Sequence, residues 1–287
     1  HMDIDAASIN KIIDADIALL GDGAWVLEQL STRLTQALKS QQKSALKDRE
    51  EGLKSWWQQL EDWRAENGLN HNLQAQADKP ILPQLAIQSL YKVTGGDAFV
   101  CSDVGQHQMF AAQYYHFDEP RRWINSGGLG TMGFGLPSAM GVQMGNPGAT
   151  VTCVTGEGSF MMNMQELSTC LQYGLPIKII NLNNQALGMV KQWQDMQYGG
   201  RHSQSTYSDS LPDFKTLIEA FGHVGIKVVD ATKLDAAMEE AFSEANRNRL
   251  VFVDVWVDPH EHVYPMAIKG GAMRDMVLSK TTAAESS

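Results

Sequence analysis

The stretch Thr150-Val151-Thr152-Cys153-Val154-Thr155-Gly156-Glu157-Gly158-Ser159 reads as a β-strand running into a tight turn. Its first six residues are β-branched or small, carry no charge and stop at a glycine, the pattern of a strand covered on both faces. Gly156 and Gly158 let the backbone turn sharply and approach a ligand closely. Beyond them Met161, Met164, Leu167, Cys170 and Leu171 recur at helical spacing, so a helix is expected over 160–173. The same alternation extends on both sides. Strands are expected at 98–104, 177–182, 224–229 and 251–257, and helices at 83–93, 133–145, 187–195, 212–221 and 233–247. Near-continuous apolar strands alternating with helices predict an α/β fold, a doubly wound parallel sheet with helices on both faces. Sheets of this kind take ligands in the crevice at the carboxyl ends of their strands.

Four segments fall at those ends. In the first, a helix beginning near Ser159 aims free N–H groups at an anion such as a phosphate. Glu157 then sets a carboxylate beside that anion, and two anions in contact require a cation between them. Magnesium accepts carboxylate, carbonyl and phosphate oxygens together. Asn183-Asn184 closes the next strand and brings an amide oxygen to the same edge. The turn also reads as an ordinary βα connection whose Asn residues cap a helix. The second segment, Ser126-Gly127-Gly128-Leu129-Gly130-Thr131-Met132-Gly133-Phe134-Gly135, cannot be regular structure throughout; its glycines suit close approach to a flat ligand or a flexible loop. The third, Asp103-Val104-Gly105-Gln106-His107-Gln108, offers amides and an imidazole to a diphosphate, or a satisfied helix cap. The fourth, Gln185-Ala186-Leu187-Gly188-Met189-Val190-Lys191-Gln192-Trp193-Gln194, puts Trp193 on one helical face with Met189 and Val190, which also suits a core position.

The rest of the chain bounds the reading. Its 287 residues suffice for a large domain plus a smaller piece. Residues 1–38 read as two short apolar runs, the turn Gly21-Asp22-Gly23 and a helix, too little for a domain alone. Residues 39–80 read as a linker in which Trp56, Trp57, Leu60 and Trp63 form a helical stripe expected to pack on the main body. The main domain is expected over 81–260, with 261–287 a tail or lid whose extremity, 281–287, is frayed. A formal charge of −10 and the lack of a basic stripe exclude a general nucleic-acid binder. No run approaches the ~20 apolar residues that span a bilayer, and no secretory signal is read, so a cytoplasmic protein with no membrane partner is expected. Cys101, Cys153 and Cys170 read as buried apolar residues of a reducing compartment rather than zinc ligands or disulfides. The opening His1-Met2 fits a cloning scar or a start inside a longer protein, with residues missing upstream.

In their order along the chain, Val104-Gly105-Gln106-His107-Gln108, the glycine-rich segment from Ser126, Gly156-x-Gly158-Ser159, Leu182-Asn183-Asn184 and Gly188-Met189-Val190-x-Gln192-Trp193 resemble the thiamine-diphosphate enzymes. Among these the chain most resembles the catalytic large subunit of acetohydroxyacid (acetolactate) synthases, and the likeness extends through Arg201-His202-Ser203-Gln204-Ser205 and Glu261-His262-Val263-Tyr264-Pro265-Met266. The resemblance implies the diphosphate-binding domain of that fold, with 1–38 a remnant of the middle, flavin-binding-type domain. It implies thiamine diphosphate and magnesium as cofactors, with FAD in full-length family members only. The implied reaction decarboxylates pyruvate and joins the remaining two carbons to a second 2-keto acid, pyruvate or 2-ketobutyrate. The products are 2-acetolactate or 2-aceto-2-hydroxybutyrate, in branched-chain amino-acid biosynthesis. Implied partners are a second large subunit and a regulatory small subunit.

Residue by residue, the resemblance makes Met132 the apolar wedge that bends the cofactor and gives the backbone at Gly130 the aminopyrimidine. Gln106, His107, Gly158, Ser159, Gly188 and Met189 become diphosphate contacts. Glu157, Asn184 and the carbonyl of Ala186 become metal ligands, and Trp193 the residue that favours 2-ketobutyrate. Other thiamine-diphosphate enzymes, such as a pyruvate oxidase, and a non-catalytic module stand as alternatives; the context of Trp193 argues against the first and the retained contact residues against the second. The family usually has Asp where Glu157 stands. The extra methylene moves the carboxylate outward by roughly 1.3–1.5 Å, while magnesium asks for ligands near ~2.0–2.1 Å, so weakened metal binding is expected. The family's N-terminal domain, which supplies a glutamate to the cofactor ring, has no counterpart in this chain. The chain alone is therefore expected to be inactive and to bind cofactor poorly.

Overall fold

The computed structural model describes residues 1–40, 43–207, 209–267 and 270–279. The expectation for 281–287 lies outside them. The chain forms two compact units, 1–68 and 69–287.

In the first unit β1 (Met2–Asp3) pairs in parallel with β2 (Leu19–Leu20). The Asp22 carboxylate then accepts the N–H of Trp25 at 3.1 Å and starts α1 (Gly23–Ser40). Helix α2 (Lys43–Asn67) carries the tryptophan stripe; Trp56 and Trp63 meet edge to face at 5.8 Å, and both are about half exposed.

The second unit holds the sheet. Its elements are α3 (Pro83–Thr94), β3 (Phe99–Ser102), α4 (Gln106–Tyr114), β4 (Trp123–Asn125), α5 (Gly135–Gly145), β5 (Val151–Thr155), α6 (Glu157–Phe160), α7 (Glu166–Tyr173), β6 (Lys178–Asn183), α8 (Gly188–Gln197), α9 (Phe214–Ala220), β7 (Val224–Val228), α10 (Leu234–Ala241) and β8 (Val251–Trp256). The strands lie in the order β4-β3-β5-β6-β8-β7, all parallel. Because side chains alternate across a strand, the sheet builds two cores. Val154, Ile180, Val251, Val253 and Val255 pack under α3, α4 and α10; Val151, Cys153, Ile179 and Phe252 pack under α5, α7 and α9. The three cysteines are free and buried among these residues, as their sequence context indicates.

This order creates the site. The chain leaves β3 for β4 on one side, then returns to β5 on the other, passing α4 over one face and α5 over the opposite face. The connections that leave the carboxyl ends of the paired strands β3 and β5 therefore pass to opposite faces, a topological switch point, the place where such sheets bind ligands.

Four elements differ from expectation. The helix foreseen over 160–173 is split into the single turn α6 and the helix α7, so the dipole of a long helix does not act at Ser159. The helix foreseen over 233–247 stops at Ala241 and is followed by a 3₁₀ turn at Glu244–Asn246. Helix α4 was not foreseen, because its first residues, Gln106 and His107, are polar yet buried and break the apolar period. Strand β4 is three residues long on the sheet edge, too short to show an alternation.

Candidate functional site

At the switch point lies a cleft of about 160 Å³. Gln106, His107, Gly130, Met132, Glu157, Gly158, Ser159, Asn184, Ala186, Gly188 and Met189 all line it. Trp193 does not: it is half-buried and packs against the core cluster beneath α8. The four loops singled out in the sequence thus meet in space, although they follow different strands.

Three helices begin at this cleft. The N-cap positions of α4, α6 and α8 are Gly105, Gly156 and Leu187, and none caps its helix with a side chain. Helix α9, elsewhere in the unit, is capped by Asp213. First-turn N–H groups have no partner within their own helix, so three uncapped starts facing one cleft suit a polyanion. With α6 a single turn, the nine-residue α4 and ten-residue α8 carry the larger dipoles.

His107 sits in a slot made by two missing side chains. A Cβ at Gly105 would lie 2.7 Å from its Cε1, and one at Gly156 would lie 2.8 Å from its Nδ1. Burial pushes the imidazole down to about 3, against the raising effect of the Asp103 carbonyl. Its Nε2 is buried with no hydrogen-bond partner among the described residues. An unpaired buried polar atom is costly, and here it faces a cleft. Above pH 6.5 the imidazole is neutral in both folded and unfolded chains. As pH falls from 6.5 toward 3, the unfolded chain takes up a proton that the folded chain refuses, so stability is lost with acidification, by up to about 1.4 kcal/mol per pH unit. Urea unfolding of His107→Gln and the parent across this range is expected to give a difference that shrinks as pH falls; a pH-independent difference would contradict the assignment.

The oxygens on the opposite wall converge. Glu157 is 1% exposed. Its Oε1 accepts the N–H of Ala186 at 2.8 Å, and Asn184 Oδ1 accepts the same N–H at 3.1 Å. Gln185 between them has φ +59, a left-handed conformation unusual outside glycine. Residues 205–207 run antiparallel beside this turn, joined by Leu187 N–H to Ser205 O at 2.8 Å and Tyr207 N–H to Gln185 O at 3.2 Å. Those two bonds leave the carbonyl of Ala186 out. Burial pushes the Glu157 carboxyl up to about 8; the N–H groups of Glu157 itself and of Ala186 oppose the shift, and Asp254 adds to it. A carboxylate this buried is held ionised best by a cation. Among the described residues no cluster of three or more His, Cys, Asp or Glu could hold a metal. The oxygens present, a carboxylate, an amide oxygen and a carbonyl, form an all-oxygen set of the kind that would suit a hard cation bridging to an anion. The residues present fit both magnesium and a diphosphate.

Several residues that the sequence reading passed over hold this wall in place. Asp103, 1% exposed, accepts the N–H of Gly133 at 2.8 Å and of Val104 at 3.0 Å, and so ties the loop of Gly130 and Met132 to β3. Burial raises its pKa, although the N–H groups of Val104, Gly133 and Gly135 pull it back. Gln106 accepts from Asn184 Nδ2 at 3.0 Å and donates to Gln192 Oε1 at 2.8 Å. Gln192 in turn exchanges two bonds with the backbone of Val263, fastening the tail to α8. A Cβ on Gly188 would collide with Gln106 Oε1 and Asn184 Nδ2. Asp254 accepts from Asn181 and Asn183 at 2.8 and 3.1 Å and steadies the strand end before Asn184. Tyr207 also lines the cleft. Gln106 and Gly188 are among the expected contacts, and Asp103 and Gln192 lie inside the quoted segments without a role; nothing local marked Asp254 or Tyr207.

The model of the C-terminal TPP-binding domain of thiamine pyrophosphate enzymes matches residues 103–255. The chain is 57% identical over 281 residues to the acetolactate synthase isozyme 3 large subunit of Escherichia coli (strain K12), covering 98% of this chain and 47% of that protein. It is 53% identical over 281 residues to the acetolactate synthase large subunit of Haemophilus influenzae, covering 98% and 46%. To the chloroplastic acetolactate synthase 1 of Oryza sativa subsp. japonica it is 38% identical over 285 residues, covering 97% and 42%. The chain spans about half the length of the curated relatives it matches. Among the described residues no helix is long and apolar enough to cross a membrane.

Proposed function

Since the chain belongs to the thiamine pyrophosphate enzymes through their C-terminal TPP-binding domain, we propose that it is the cofactor-binding part of an acetolactate synthase large subunit. In this reading it contributes to joining pyruvate, after decarboxylation, to a second 2-keto acid, giving 2-acetolactate or 2-aceto-2-hydroxybutyrate. The observation that carries the reading is the convergence of Glu157 Oε1 and Asn184 Oδ1 on one N–H group, in a cleft into which three uncapped helices open. Thiamine diphosphate, when bound, supplies the nucleophilic carbon that accepts and decarboxylates a 2-keto acid.

The chain's own residues hold and orient. Glu157, Asn184 and the Ala186 carbonyl would hold magnesium, whose charge would offset that of the diphosphate beside Glu157. The first-turn N–H groups of α4, α6 and α8 would form the anion cradle, with Gln106, His107 held neutral by burial, Ser159, Gly188 and Met189 around it. Asp103 fixes the loop that presents the Gly130 backbone to the aminopyrimidine and Met132 as an apolar wedge. Trp193, which packs away from the cleft, is assigned the choice of second 2-keto acid, pyruvate against 2-ketobutyrate. FAD, a homodimer of large subunits and a regulatory small subunit belong to the same reading of the whole protein.

Two measurements test it. Calorimetric titration of the chain with thiamine diphosphate is expected to show weak, saturable binding that requires magnesium and vanishes with a chelator; titration without heat at millimolar cofactor would contradict the assignment. The 287-residue chain alone is expected to form no measurable 2-acetolactate from pyruvate, because the family draws a glutamate for the cofactor ring from its N-terminal domain. Turnover by this chain would show that its own residues suffice.

A further inference from the structure

We propose that Tyr207 is a cofactor-binding residue whose hydroxyl donates to an oxygen of the diphosphate. The proposal rests on the reading of the cleft as a thiamine-diphosphate site and adds a ligand from a segment outside the motifs that suggest that site.

The Tyr207 hydroxyl is buried, lines the cleft, and has no hydrogen-bond partner among the described residues. A buried phenol O–H normally finds a partner, because leaving it unpaired is unfavourable. Its place explains what is missing. A Cβ built on Gly158 would collide with this hydroxyl and come within 3.0 Å of Leu187 Cδ2. The space a side chain would fill beside the first turn of α6 is thus occupied by the phenol oxygen, next to the uncapped N–H groups of that turn. His107 Nε2 is the other unpaired buried polar side-chain atom among the residues lining the same cleft.

The backbone holds Tyr207 in register with the metal wall. Its N–H donates to Gln185 O at 3.2 Å, and Thr206 bridges Ala186. Ser205 Oγ donates to Gln194 Oε1 at 2.5 Å and anchors the segment to α8. The hydroxyl is therefore fixed to the turn that carries Asn184 and Ala186. A phenol remains protonated near neutral pH, so toward a diphosphate it is a donor. It stands beside the ligand, and the metal keeps its oxygen ligands from Glu157, Asn184 and Ala186.

Tyr207→Phe keeps the ring and removes only the donor. In the full 287-residue chain with saturating magnesium, half-saturation by thiamine diphosphate is expected to rise about tenfold, that of inorganic pyrophosphate by a similar factor, and that of unphosphorylated thiamine not at all. The melting temperature without ligand is expected to hold or rise, since an unpaired polar group has gone. Equal thiamine diphosphate affinity in Tyr207→Phe and the parent overturns the role of Tyr207 while leaving the site intact. An equal loss for thiamine and thiamine diphosphate also overturns it, by showing a packing effect. Failure of the parent chain to bind thiamine diphosphate overturns both this role and the site on which it depends.

Discussion

Replacing Glu157 by Gln is expected to weaken magnesium-dependent binding of thiamine diphosphate by about 10²–10³-fold. The side chain keeps its shape and its oxygen toward the Ala186 N–H, but loses its charge. Breaking a buried charge pair by removing one partner costs about 3–5 kcal/mol, which is roughly that factor in affinity. Glu157 is 1% exposed, so water cannot replace the lost charge. Without ligands the variant is expected to be at least as stable as the parent, because burial already disfavours the ionised carboxyl. The signature is therefore opposite in sign for stability and for binding. Calorimetric titration of cofactor at fixed magnesium, with a thermal melt of each protein, reads both; a variant that binds as the parent does removes Glu157 from the metal site. Glu157→Asp tests the geometry. The shorter carboxylate is the family's usual residue, and magnesium tolerates little deviation from octahedral distances. Tighter magnesium binding in Glu157→Asp is expected, and equal affinity would mean that the bend seen at Gln185 already accommodates the extra methylene.

Asp103→Ala is expected to be the most destabilising single change at this site. The carboxylate is buried and accepts from Gly133 and Val104, with Thr155 Oγ1 at 3.4 Å from its second oxygen. Alanine leaves two buried N–H groups without an acceptor. At about 1–3 kcal/mol for each, the loss is roughly 2–6 kcal/mol, a large share of the ~5–15 kcal/mol typical of a folded domain. Gly133 has φ +85 and its carbonyl accepts from Asn163 at 2.6 Å, so the loop cannot simply turn to find another acceptor. Asp103→Asn keeps an Oδ1 that can accept both N–H groups and is expected to lose much less. Urea unfolding of the three proteins gives the order; an Asp103→Ala midpoint equal to the parent's would show that the loop of Gly130 and Met132 is held by something else.

Much of this protein is legible without coordinates. Strands such as 150–155 and 251–257, the latter broken only by Asp254, carry their burial in their composition, because a strand covered on both faces has little polar surface. Glycines at 156, 158 and 188, the acid at 157 and the amide at 184 mark loops that line one cleft. The sequence reading erred where polar residues are buried, as at the start of α4, and where a run of apolar residues at 160–173 hid the break after α6. Apolar spacing reports which face is covered; it does not report whether the backbone stays helical throughout.

The alternation of elements, the glycine turns and the chemical kind of each loop follow from the amino-acid order alone, because local backbone preference and burial pattern are written into neighbouring residues. Which loops meet is decided by the strand order β4-β3-β5-β6-β8-β7, and that order alone puts the end of β3 beside the end of β5. Asp103 under Gly133, Gln192 between Gln106 and Val263, and Tyr207 against Gly158 are contacts between distant parts of the chain. No periodicity records them, since they exist only once the sheet has closed its register and the space left by a missing Cβ has been filled from elsewhere.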